Sequence, residues 1–147
     1  MPIGEASAPP VSERPELRKP ILSATEAVIY VSDFQRAQDF YVSKLGFAVE
    51  FAYGDPPFYG LVKRDHARLC LRLVCEPVFA GDIREREQLL SAAFTVDTAA
   101  EIKALFREFQ ASGVDFLQKL KTEPWGARNF IVRDPDDNLV LFAGPGD

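Results

Sequence analysis

The chain has 147 residues, of which 47% are hydrophobic, 27% charged and 12% aromatic, the profile of one globular domain and not of a disordered polymer. Seventeen Lys and Arg stand against twenty-two Asp and Glu, a net charge of −5, which has the wrong sign for a partner of nucleic-acid phosphates. No apolar run approaches the ~18 residues of a membrane span and no signal peptide is read, so the expectation is a soluble, cytoplasmic protein without a membrane partner.

Pro2, Pro9, Pro10, Pro15 and Pro20 crowd the first twenty residues, and residues 1–20 are expected to be a flexible tail. The remainder, 21–147, is expected to be a single domain holding the same pattern twice. In the first copy, about residues 24–75, the β-branched run at 27–31 predicts a strand. Ser32-Asp33 offers a helix N-cap. Phe34, Ala37, Tyr41 and Leu45 recur at helical spacing, and Gly46 stands where a left-handed stop belongs. Strands are expected at 47–51, 58–63 and 68–74, broken by Gly54-Asp55-Pro56-Pro57 and by a turn at 64–66. A linker, 76–89, contains one expected helical turn. The second copy, about 90–144, begins with a strand at 92–96, the cap Asp97-Thr98 and a helix whose apolar stripe is Ile102, Leu105, Phe106 and Phe109. Gly113 stops that helix. Strands follow at 114–120, 128–133 and 139–143, separated by the Pro124-Trp125-Gly126 loop and the Asp134-Pro135-Asp136-Asp137-Asn138 turn. The fold class is therefore α+β, two βαβββ modules whose curved mixed sheets leave a cleft between them, a usual place for a ligand.

Cys70 and Cys75 sit at odd spacing on one expected strand, point to opposite faces, and are expected to be reduced. The one histidine, His66, cannot by itself supply a metal site that needs two imidazoles, and its place in a hairpin tip predicts a surface residue. The acidic turn at 134–138 lacks the glycine and glutamate of an EF-hand and reads as a turn. Arg128 and Arg133 are expected to pair with its acids or to cover the sheet edge.

Ala27-Val28-Ile29-Tyr30-Val31-Ser32-Asp33, Phe40-Tyr41, Leu45-Gly46-Phe47, Pro124-Trp125-Gly126, Arg128, Phe130, Arg133-Asp134-Pro135, Asn138 and Phe142 together resemble the vicinal oxygen chelate superfamily. That superfamily contains glyoxalase I, extradiol dioxygenases and the fosfomycin- and bleomycin-resistance proteins. Asp137 stands where the family usually has glycine. The resemblance implies a divalent-metal site in the family's enzymes, with ligands falling on Glu26, near Cys70, at or beside Ser91, and on Leu141. Of these only Glu26 is a good hard ligand and Leu141 is none, so no metal and no cofactor are expected. The resemblance further implies a homodimer with pockets shared across its interface, and a drug-contacting role for Trp125 as in the bleomycin-resistance branch.

Without a metal, the remaining candidates are aromatic. Phe51, Tyr53, Phe58 and Tyr59 flank the 54–57 break and can wall a pocket for a flat ligand, although strand alternation predicts that Phe58 and Tyr59 face opposite sides. Trp125, held between Pro124 and Gly126, either stacks on a ligand or plugs the sheet edge. Glu26, with Glu50 and Asp55 nearby, is expected to favour a cation, and Cys70 to line the cavity as a small apolar residue. The expected function is metal-independent binding or sequestration of a small organic, cationic or aromatic ligand at Glu26, Tyr53, Phe58, Tyr59, Cys70, Ser91, Trp125 and Leu141. The competing class is a metal-dependent lyase, isomerase or oxidoreductase with an atypical site through Glu26 and Cys70; a third is an interaction module.

Overall fold

A computed structural model describes residues 19–78 and 81–147, so the expected tail, apart from Lys19 and Pro20, lies outside the described residues. The expected order appears twice. β1 (Ala27–Val31) leads into α1 (Phe34–Asp39), then β2 (Ala48–Gly54), β3 (Pro57–Arg64) and β4 (Ala67–Leu73). A short α2 (Ile83–Arg86) occupies the linker, and β5 (Leu90–Thr95), α3 (Ala99–Ala111), β6 (Asp115–Thr122), β7 (Arg128–Arg133) and β8 (Leu139–Gly144) complete the second copy. Each module makes a four-stranded mixed sheet, ordered β1-β4-β3-β2 and β5-β8-β7-β6, in which the first strand runs parallel to the last and the other pairs are antiparallel.

Local chemistry explains the helix ends. The Asp33 carboxylate accepts the Arg36 N–H at 3.1 Å and Thr98 Oγ1 accepts the Glu101 N–H at 3.1 Å, each satisfying a donor that has no partner inside the helix. Gly46 and Gly113 take φ values of +76° and +77°, where a Cβ is costly. One expectation fails: the helix begun at Phe34 does not run to Leu45 in α form but widens into a π-helical segment, Phe40–Lys44. The Phe47 N–H closes it on the Tyr41 carbonyl at 2.9 Å.

α1 packs on β3 and β4 of the first sheet and α3 on β7 and β8 of the second. Ile29, Val31, Val62, Leu69 and Leu71 of the first sheet meet Phe34, Ala37 and Tyr41, and one continuous core joins them to Ile102, Phe109, Phe130, Val132, Val140 and Phe142. A chain of rings crosses the module boundary, from Tyr41 to Phe47 at 6.1 Å, on to Phe94 at 6.1 Å, and then to Phe142 at 5.7 Å. Edge and tilted pairs of this kind add to area burial by about 0.5–1.5 kcal/mol each. The ends of α1 and α3 are tied as well, since Lys44 Nζ donates to the Ser112 carbonyl and Ser112 Oγ to the Lys44 carbonyl, both at 2.8 Å. Arg64 adds a two-pronged pair with Glu108 at 2.7 and 3.0 Å.

The 134–138 turn is more than a connection. Asp134 is buried, and its two carboxylate oxygens accept the Asp136 and Asn138 N–H groups at 2.8 Å, the Asn138 side-chain amide at 2.9 Å and the Tyr41 hydroxyl at 2.8 Å. Asn138 also donates to the Tyr30 carbonyl of β1 at 3.0 Å, and Asp136 accepts both the backbone N–H and the hydroxyl of Ser32. Asp137 takes φ +62° in the position where a glycine was expected. Of the two expectations for Arg128 and Arg133, pairing with this turn is not what forms: Arg128 meets Asp147 at 2.8 Å and Arg133 meets Glu85 at 2.9 Å. Asp134 already accepts from the turn itself and from Tyr41, and Asp136 Oδ1 from Ser32.

Burial pushes the Asp134 carboxyl above its ordinary range, against the opposing pull of its hydrogen bonds from Asn138, Tyr41 and Asp136. A folded-state value above the unfolded one means that this group's contribution to stability is present at low pH and is lost as pH rises through the folded value. The Tyr41 hydroxyl favours the ionised form. Tyr41→Phe is therefore expected to cost about 1.5–3 kcal/mol at neutral pH, and that cost is expected to shrink as pH falls through the folded value of Asp134. Urea unfolding at neutral and acidic pH measures both, and a loss that does not vary with pH contradicts this role for the pair.

Candidate functional site

Because the helices cover one side of each sheet, the opposite faces turn away from the shared core. On the first sheet, register builds that face in rows. Val28, Cys70, Leu61 and Phe51 stand side by side across β1, β4, β3 and β2, and Tyr30, Arg72, Tyr59 and Tyr53 form the next row. Leu61 and Cys70 are buried and make the floor. The others stand open, at 47% for Val28, 43% for Phe51, 38% for Tyr30 and Tyr59, and 66% for Tyr53. A shallow cavity of about 420 Å³ is lined by Tyr53, Phe58, Tyr59, Arg72 and Leu73. Phe51 and Tyr59 lie 5.8 Å apart, and Tyr53 meets Phe58 edge-on at 5.6 Å.

Phe58 and Tyr59 were expected on opposite sides, yet both line this cavity. The register slips between Tyr53 and Gly54, so that Gly54 pairs with Pro57, and strict alternation is lost at this end of the hairpin. The Tyr59 phenol is held above the usual tyrosine value, first by its closeness to the Cys70 thiol, then by desolvation and by the charge of Glu26.

Glu26 stands at the end of β1, but it is not a free carboxylate. Arg68 on β4 reaches it at 3.1 Å and reaches Glu50 on β2 at 3.0 Å, an ion triad across three strands. Two of the three carboxylates expected to draw a cation, Glu26 and Glu50, thus already share one, while Asp55 stands exposed in the hairpin turn. The other two expected site residues lie on the second sheet. Ser91 turns its hydroxyl to Asn138 at 3.4 Å, and Leu141 shares a row with Ala93, Ile131 and Gln118. Neither lines the cavity of the first sheet, so one chain does not gather Glu26, Cys70, Ser91 and Leu141 around a common space. Trp125 lies within the tight Glu123–Gly126 turn, closed by Gly126 N–H on the Glu123 carbonyl at 2.9 Å, and is 75% exposed. It does not plug the sheet edge.

These residues do not fit the metal implied by the family's enzymes. Leu141 has no donor atom, Glu26 is bridged by Arg68, and among the described residues no group of three or more His, Cys, Asp or Glu can hold an ion. His66 is exposed at its hairpin tip, as expected, and both cysteines are free, Cys70 buried and Cys75 exposed. Among the described residues no helix is long and apolar enough to cross a membrane.

Two features escaped the sequence reading. Arg72 lies two residues beyond Cys70 on the same strand, and the period of two that places Cys70 on this face places Arg72 there too. The second sheet carries a polar relay instead of rings: Gln118 Nε2 donates to the buried Asn129 Oδ1 at 2.7 Å, and Asn129 Nδ2 to Glu123 at 3.0 Å. Their scattered positions carry no local pattern.

The fold and this open face define the class: paired βαβββ modules that present sheet faces opposite their helices. The chain belongs to the glyoxalase/bleomycin resistance protein/dioxygenase superfamily, whose family model matches residues 23–142. No curated protein matches the sequence. Solved structures do. The bleomycin-binding protein of bleomycin-producing Streptomyces verticillus, complexed with copper(II)-bleomycin, is 22% identical, with a TM-score of 0.61 over 84% of this chain and 96% of that one. TioX from Micromonospora sp. ML1 is 22% identical, with a TM-score of 0.65 over 84% and 98%. Lactoylglutathione lyase from Agrobacterium tumefaciens is 20% identical, with a TM-score of 0.64 over 85% and 95%. These likenesses establish the shared fold, on which binding proteins and enzymes are both built.

Trp125 and Glu26 lie at the surface, away from the core. Trp125→Ala and Glu26→Gln are each expected to change stability by less than about 1 kcal/mol, measured by thermal unfolding. A larger loss for either places that side chain in the fold and not in a site.

Proposed function

We propose that this protein binds a small organic molecule with a planar aromatic part on the open face of its first sheet, without a metal, in the manner of a sequestering protein. The observation that carries this reading is the face itself. Val28, Tyr30, Phe51, Tyr53, Phe58 and Tyr59 are all partly exposed, on a sheet side that no other element of the described chain covers. Contiguous apolar patches of this kind on a soluble protein mark binding surfaces, and aromatic rings supply area at low entropic cost. The complex of the Streptomyces verticillus relative with copper(II)-bleomycin gives the fold a precedent for holding a bulky organic ligand.

The second part of the proposal is a homodimer. Glu26, Tyr53, Phe58, Tyr59 and Cys70 lie on one sheet and Ser91 and Leu141 on the other, so a second copy placing its second sheet over the first sheet of its partner completes a pocket with an aromatic wall and a polar one. Trp125, on its exposed turn, then serves as a rim contact. Such a pocket needs no Lewis acid, because stacking and apolar burial supply the affinity.

Three planar fluorophores test the reading: neutral N-phenyl-1-naphthylamine, anionic 1-anilinonaphthalene-8-sulfonate and cationic thioflavin T. Saturable binding of at least one of them is expected, unchanged by a chelator, and weakened about tenfold or more by Tyr59→Ala, the loss of one stacked ring in a desolvated site. Trp125→Ala is expected to weaken it in the same direction. No saturable binding by any of the three, or binding by the variants equal to that of the wild type, overturns the proposal.

A further inference from the structure

The open face carries a charge pattern that selects its ligand. Glu26 and Glu50 both spend their charge on Arg68, at 3.1 and 3.0 Å. Lys63 and Arg72 share the face with them, Lys63 beside Arg68 and Arg72 between Tyr30 and Tyr59. Among the described residues Arg72 has no carboxylate, carbonyl or ring partner, and it lines the cavity together with Tyr53, Phe58 and Tyr59. Counting these five groups, the face has three cations and two carboxylates, and the carboxylates are already paired.

We infer that the ligand of this face is a planar aromatic anion, its carboxylate, sulfonate or phosphate held by the Arg72 guanidinium while its ring lies on Tyr59 and Phe51. This inference rests on the reading of the face as a ligand site and adds the ligand's charge. Whatever covers the aromatic rows also strips water from Arg72, because it stands between Tyr30 and Tyr59 in its row. An ionic group buried without a partner costs several kcal/mol, so a neutral or cationic occupant is penalised and an anionic one is not. Arginine suits an anion of this shape, because its planar fork presents five donors and meets two oxygens with two parallel hydrogen bonds. Beside Arg72 a cation finds no carboxylate, since Glu26 and Glu50 lie against Arg68 at the other end of the face.

The naphthylamine dyes provide a matched pair, because N-phenyl-1-naphthylamine and 1-anilinonaphthalene-8-sulfonate share one ring skeleton and differ by the sulfonate. Equilibrium fluorescence titration of the full chain is expected to show the sulfonate binding about tenfold or more tightly than the neutral dye, the scale of one hydrogen-bonded charge pair, with thioflavin T weakest. Arg72→Gln is expected to remove that preference by weakening the sulfonate, while the neutral dye, no longer covering an unpaired guanidinium, binds at least as tightly as it does to the wild type, and Tyr59→Ala is expected to weaken both naphthylamines. Raising the salt concentration is expected to lower only the affinity for the sulfonate. Equal affinities of the wild type for the two naphthylamines, or a preference for the sulfonate that survives Arg72→Gln, overturns the charge inference, and the binding face then still stands. Binding that Tyr59→Ala leaves intact places the dye elsewhere and overturns both.

Discussion

The carboxylate of Asp134 is the point on which the arrangement of the two modules depends. Removing a charged group from water costs several kcal/mol unless its lone pairs are filled, and Asp134 fills them with two backbone N–H groups, one side-chain amide and the hydroxyl of Tyr41. Three of those donors belong to its own turn; the fourth comes from the other module. Asn138 then passes the connection on to the Tyr30 carbonyl, and Asp136 to Ser32. A five-residue turn in the second copy thus grips both the first strand and the first helix of the other. Hydrogen bonds fix orientation where apolar contact alone tolerates sliding, and here they set the relation between two sheets that share one core.

That orientation decides what is left outside. With the helix sides joined through Tyr41, Phe47, Phe94 and Phe142, the opposite face of each sheet is free to evolve as a surface. The two faces have diverged. The first is a field of rings around Arg72 with an ion triad at one end, and the second is a short polar relay through Gln118, Asn129 and Glu123. In the proposed dimer these unlike walls meet, one offering stacking area and a cation, the other amide donors and acceptors.

Much of the fold was legible in the sequence, because the signals that specify it are local. Asp33 and Thr98 announce the two helices, Gly46 and Gly113 end them with positive φ, and alternation marks the strands that follow. Longer-range facts left no such trace. Nothing near Tyr41 shows that its hydroxyl meets a carboxylate ninety-three positions away, and nothing in the linker shows that Glu85 takes Arg133. The π-helical segment at Phe40–Lys44 breaks a spacing that looked regular. For the candidate site the aromatic residues were legible and the electrostatics were not. Glu26 and Glu50 looked like free acids because Arg68 becomes their neighbour only once three strands pair, although Arg72 lay within reach of a simple alternation argument.

The four tyrosines of the chain provide the most direct test of the central claim, that the ligand lies on the open face of the first sheet. Tyr30, Tyr53 and Tyr59 stand on that face and Tyr41 is buried in the core. Fluorine NMR of protein carrying 3-fluorotyrosine, titrated with 1-anilinonaphthalene-8-sulfonate, resolves the two environments, each resonance being assigned by a single Tyr→Phe variant. The account requires the Tyr30, Tyr53 and Tyr59 signals to move with the dye while Tyr41 stays in place. Movement of Tyr41 alone, or no movement of the three while the dye binds, contradicts it.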